Sequence, residues 1–185
     1  MAEIGILHER KSAVLLGYAK LYNCVYFVET GTAYGEMTQI MQGKFRHIFT
    51  IELGAEFHER AKNMFSADPG ITVLLGDSGK VLKSVMPRLD APALFWLDAH
   101  YSGGATSKGD QETPILDELE SILAVPSHGH VIVIDDLSQF MWNPEYPRIE
   151  TLRVFIETRC LQAEINILHS EGMIVVKLPG NDNHA

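Results

Sequence analysis

The sequence has only two cysteines, Cys24 and Cys160, and no CxxC pair. No disulfide framework or cysteine-built metal site is therefore expected, and the two thiols read as the reduced, packed cysteines of a cytoplasmic protein. Also lacking is any run of about twenty mostly apolar residues, the length that a membrane-spanning helix needs. The first residues, "MAEIGILHERKSAVLLGYAK", scatter charges among the apolar positions and do not resemble a signal peptide. Positive charge is scarce: 15 Lys and Arg face 24 Asp and Glu, for a formal charge of −9. That balance disfavours nucleic acid and anionic lipid, partners held by basic patches that release counterions. Linkers and repeats are missing too, so 185 residues with 46% hydrophobic content make one domain spanning 1–185, with a substantial core.

What is present is an alternation of short β-branched and aromatic runs with segments of helical period, the pattern of a parallel sheet covered on both faces. Strands are expected at Cys24 to Glu29, His47 to Glu52, Ile71 to Leu75, Ala93 to Asp98 and Val131 to Asp136. Their nearly continuous hydrophobicity marks strands buried on both faces. Helices are expected at Glu9 to Tyr22, Glu36 to Gln42, Ala55 to Ser66, Gly79 to Met86, Pro114 to Leu123 and Arg148 to Arg159, with Thr113 as N-cap of the fifth. "AEINILH" and "GMIVVKL", separated by "SEG", read as an antiparallel hairpin at a sheet edge. The expected fold is α/β, a Rossmann-like doubly wound sheet of seven strands, mostly parallel with an antiparallel C-terminal hairpin strand.

Ligands of such sheets bind outside the carboxyl ends of the strands, where this chain collects acids. After the first strand the loop from Glu29 through Thr30, Gly31, Thr32, Ala33 and Tyr34 to Gly35 lets backbone approach a ligand at its glycines. It is no phosphate loop of the Walker kind, since the Lys-Ser/Thr pair is missing, and Ala33 breaks a GxGxxG match. Glu52 ends the second strand 23 residues after Glu29, about the spacing at which an acid bonds ribose hydroxyls in nucleotide-binding βαβ units.

"VETGTAYGEMT", "IFTIEL", "VLLGDS", "FWLDAHYSGG" and "VIVIDDL" together resemble the successive strand-end motifs of class I S-adenosylmethionine-dependent methyltransferases, and the resemblance runs from Cys24 to the terminal hairpin. It implies that Glu29, Gly31, Thr32 and Gly35 lie beside the methionine part of the cofactor, Glu52 on the ribose, and Asp77 with Ser78 at the adenine, with Asp98 also on the cofactor side. About 24–90 would form the cofactor half and about 91–180 the acceptor half. A sulfonium nucleoside carries no phosphate, which suits a loop without lysine and with an acid at its start.

Asp98, Asp135 and Asp136 end the fourth and fifth strands, which this winding makes neighbours. Carboxylates gathered there repel one another unless a hard divalent cation such as Mg²⁺, or Mn²⁺, binds them, although adjacent aspartates can equally cap a turn. The arrangement resembles metal-dependent O-methyltransferases of the catechol and macrocin types. That implies a metal at these three residues and a hydroxyl activated on it. His100 is the candidate general base, with a metal-ligand or structural role open. "YSGGATSKGDQETP" reads as a lid hinged at Ser-Gly-Gly, and "FMWNPEYP" as an aromatic wall of the acceptor pocket or a packed surface loop. The expected activity is Mg²⁺-dependent O-methylation of a small hydroxylated acceptor. The alternatives are a metal-independent methyltransferase and a non-catalytic cofactor-binding module. With no large insertion to shape the acceptor site, a homodimer is expected to complete it.

Overall fold

The computed structural model describes residues 2–99 and 113–180. Strands β1 (Tyr26–Thr30), β2 (His47–Glu52), β3 (Ile71–Leu75), β4 (Ala93–Leu97), β5 (Val131–Ile134), β6 (Glu164–Leu168) and β7 (Met173–Lys177) form one seven-stranded sheet in the order β3-β2-β1-β4-β5-β7-β6. β1 to β5 are parallel, and β7 runs antiparallel to both β5 and β6. The hairpin docks through its second strand. β7, MIVVK, is buried at four of its five positions and lies against β5, whereas β6, EINIL, is partly exposed and forms the edge.

Successive residues of a strand point to opposite faces, so each central strand feeds two cores. On one face Phe27, Trp96 and Val133 meet Leu15 and Ala19 of α1 (Ala2–Leu21) and Met37 and Met41 of α2 (Glu36–Met41). On the other, Val28, Phe95 and Ile132 meet Leu82 and Val85 of α4 (Ser78–Val85), Leu119 and Ile122 of α5 (Ile115–Leu123), and Ile156 of α7 (Ile149–Arg159). α3 (Ala55–Met64) packs on β2 and β3. Among the described residues no helix is long and apolar enough to cross a membrane.

Most element boundaries differ from expectation by a residue or two, the first helix begins at Ala2 and not at Glu9, and three differences bear on the site. The fourth and fifth strands stop at Leu97 and Ile134, so Asp98, Asp135 and Asp136 occupy the loops beyond them. Pro114, and not Thr113, is the N-cap of α5, its carbonyl accepting from the Glu118 amide at 2.9 Å, while Thr113 Oγ1 accepts from the Ile115 amide at 3.3 Å. "FMWNPEYP" contains most of a single unexpected turn, α6 (Gln139–Trp142). Phe140 is buried there edge-on to Tyr146, with ring centroids 5.2 Å apart. Trp142 is exposed.

The order of the strands locates the site. From β1 the chain steps outward to β2 and β3, then returns to place β4 and β5 on β1's other side. Loops leaving β1 and β4 therefore part in opposite directions and open a crevice at the carboxyl ends of these strands.

Candidate active site

The first loop is shaped by close approach. Gly31 has φ +84°, and a Cβ there would lie 2.7 Å from the Asp98 carbonyl oxygen. The glycine lets the loop rest on the end of β4, where the Asp98 amide donates to the Thr30 carbonyl at 3.2 Å. Gly35, φ +78°, precedes α2 with its Cβ position against the Phe65 ring. Beneath the loop runs a chain of hydroxyls. Thr32 Oγ1 pairs with Thr50 Oγ1 at 2.5 Å, Thr50 donates to Glu29 Oε2 at 2.6 Å, and Thr38 donates to the same oxygen. Glu29 and Thr32 are 2% and 3% exposed, so their side chains fasten the loop to β2 and α2 from inside. Both side chains turn inward, so the part of each residue nearest the loop's outer face is backbone. Burial raises the Glu29 carboxyl to about 7 against the pull of its two threonine partners.

Glu52, at the tip of β2, bridges two turns. Its Oε2 accepts from the Ala33 amide at 2.8 Å and its Oε1 from the Gly54 amide at 2.7 Å. A carboxylate oxygen has about two acceptor positions, so each oxygen can still take a ligand hydroxyl. Beyond β3, Asp77 caps α4 by accepting from the Gly79 amide at 3.0 Å. Ser78 is buried and donates to Glu118 Oε1 at 2.5 Å, so its hydroxyl points into the α4–α5 contact.

Asp98, Asp135 and Asp136 line one cleft with Glu118, Phe140 and Tyr146. Asp135 is 5% exposed; burial first and then Asp98 raise its carboxyl to about 6, with Lys11 pulling it down. Asp136 has φ +56°, an uncommon conformation for a residue with a side chain. His100, Lys108, Asp110 and Glu112, and all of the expected lid except Thr113 and Pro114, lie outside the described residues.

One cleft residue, Glu118, and one partner of a cleft residue, Lys11, were missed from sequence. Lys11 of α1 forms an ion pair with Asp135 Oδ2 while its ammonium stands 5.7 Å from the centre of the Trp96 ring. The signal was available: Lys11, Leu15 and Ala19 fall on one helical stripe, and a lysine on an apolar stripe needs a partner. Glu118 likewise interrupts the stripe Ile115, Leu119, Ile122; it is 1% exposed, and burial raises it to about 7.

Both implied groups can be tested against these side chains. The groove suits a nucleoside, since Glu52 keeps acceptor capacity at the tip of β2 beside the glycine loop. A dication fits less well. Asp135 Oδ1 is buried without a hydrogen-bond partner among the described residues and would welcome a cation, but Oδ2 already holds an ammonium. Two unit charges about 4 Å apart repel by about 4 kcal/mol at an effective dielectric of about 20, and a dication doubles this. Among the described residues no three His, Cys, Asp or Glu are arranged to hold a metal ion.

The strand order, the antiparallel seventh strand and the acid-tipped crevice define the class I S-adenosylmethionine-dependent methyltransferase fold. An O-methyltransferase from Bacillus cereus in complex with SAH superposes with a TM-score of 0.67 at 15% identity, over 92% of this chain and 81% of that one. TomG from Streptomyces achromogenes, an O-methyltransferase of tomaymycin synthesis solved with SAM, gives 0.57 at 18% identity over 91% and 79%. The N-methyltransferase NodS from Bradyrhizobium japonicum with S-adenosyl-L-homocysteine gives 0.61 at 12% identity over 95% and 88%. No protein-family model matches the chain, and no curated protein matches it in sequence.

Proposed function

We propose that the chain is an S-adenosylmethionine-dependent methyltransferase that methylates a hydroxyl of a small acceptor. The observation that carries this reading is Glu52: a strand-tip carboxylate that ties down the glycine loop through the Ala33 amide and still has acceptor positions toward the crevice. The solved neighbours that hold SAM or SAH support the cofactor; one of them is an N-methyltransferase, so the acceptor atom is read from the site itself. A hydroxyl suits a cleft lined by carboxylates, which accept hydrogen bonds and donate none when ionised.

When bound, the cofactor supplies an electrophilic methyl group on a positive sulfur. The chain's residues do the rest. Glu52 accepts from the ribose hydroxyls, the backbone of Gly31 to Gly35 borders the methionine end, and the backbone at Asp77 and Ser78 borders the adenine. Asp98 stands where the loop meets the cleft and orients the acceptor toward the methyl. His100, two residues on, takes the hydroxyl proton. Aligning two reactants in this way can lower a barrier by about 7 to 11 kcal/mol.

Magnesium at Asp98, Asp135 and Asp136 would require Lys11 to leave Asp135. A homodimer completing the acceptor side and a cytoplasmic location go with this reading; sedimentation at micromolar concentration tests the first. The deciding experiment is calorimetric titration with S-adenosylhomocysteine. Wild type is expected to bind, and Glu52→Ala to bind about ten- to a hundredfold more weakly, the worth of a charge-assisted hydrogen bond. Wild type that shows no binding at about 1 mM would overturn the proposal.

A further inference from the structure

The acidic cluster already has a positive charge, and it comes from the far end of the chain. Lys11 sits on α1, 124 positions before its partner Asp135, and its side chain is 15% exposed against 3% for the aspartate. An ammonium so enclosed is there because its surroundings hold it: the Asp135 carboxylate on one side and the Trp96 ring on another. The stripe that carries Lys11 also carries Leu15 and Ala19, both buried against the sheet, so α1 cannot turn the lysine outward without losing its own core contacts.

We propose that the Lys11 ammonium is the resident cation at Asp135 and takes up, in this cleft, the place that a divalent metal would need. The proposal rests on the methyltransferase reading for what the cleft does, and on the ion pair alone for what neutralises it. Its chemical consequence is a site with a donor and an acceptor side by side. One ammonium proton is engaged by Asp135 Oδ2, leaving others, and Asp135 Oδ1 has no hydrogen-bond partner among the described residues.

The test uses Mn²⁺ as the probe, titrated into the wild-type protein and followed by electron paramagnetic resonance, with neither cofactor nor acceptor present. Wild type is expected to bind Mn²⁺ no more tightly than about 1 mM. Lys11→Met, which removes the ammonium from Asp135, is expected to bind about tenfold or more tightly, and Lys11→Met with Asp135→Asn to lose that gain. Wild-type binding in the range of tens of micromolar that disappears in Asp135→Asn would overturn the proposal, and this arm stands even if Lys11→Met fails to fold. A folded Lys11→Met, judged by circular dichroism, with no gain in Mn²⁺ affinity would overturn it too. Titration with S-adenosylhomocysteine answers separately for the methyltransferase reading, so failure of one is distinguishable from failure of the other.

Discussion

Gly31 sets how closely the first loop can lie on the end of β4, and a single methyl group measures that closeness. A Cβ at this position would stand 2.7 Å from the Asp98 carbonyl oxygen on a backbone with φ +84°. Overpacking and the left-handed conformation together predict that Gly31→Ala loses about 2 to 4 kcal/mol of stability and most of its S-adenosylhomocysteine affinity, seen as a lower Tm and a flat calorimetric titration. Unchanged Tm would mean that the loop and β4 are not in contact. The same residue shows what could be read from sequence. A glycine after an acid at a strand end announced a close backbone approach, but not that the approach is to the protein's own Asp98. Glu52 was legible by its spacing. The inward turn of Glu29, Thr32 and Ser78 was not, because it depends on hydroxyl partners at Thr38, Thr50 and the buried Glu118 that only the fold brings near.

Between elements, the contact of α4 with α5 decides how the adenine side and the acceptor side are joined. Ser78 at the start of α4 donates to Glu118 on α5, and Ser121 donates to the Gly79 carbonyl at 2.7 Å. Gly79 lets the helices touch, since a Cβ there would lie 2.6 Å from Asp117 Cβ. Gly79→Ala is therefore expected to push the helices apart and cost about 1 to 3 kcal/mol, whereas Ser121→Ala, which removes a bond and no volume, costs about 1 kcal/mol. Urea unfolding of both variants checks the ranking; the reverse order would mean that the bond, and not the fit, holds this pair. Elements of this kind were well marked in the sequence because continuous apolar runs and 3.6-residue periods survive tertiary packing. The short turn at Gln139–Trp142 has too few residues for a period, and Lys11 finds Asp135 across most of the chain, a pairing that no local pattern encodes.

For the molecule as a whole, buried ionisable groups fix how stability follows pH. Glu29 and Glu118 are each raised from 4.5 to about 7, chiefly by burial. Between those values the native protein holds protons that the unfolded chain has released, so stability falls as pH rises from about 4.5 through about 7. His130 acts the other way. Burial first, then His128 and Lys177, lower it from 6.5 to about 4, so its contribution is lost as pH falls below about 6.5 toward 4. From about 4.5 to 6.5 the two acids outweigh the one imidazole, and the urea midpoint is expected to be higher at pH 5 than at pH 8. Glu118→Gln isolates one of the acids. The amide needs no proton and still accepts from Ser78, so at pH 8 the variant should be more stable than wild type by up to about 3 kcal/mol, and at pH 5 it should show little gain. If the variant were destabilised equally at both pH values, the Glu118 carboxyl would be ionised in the native protein throughout.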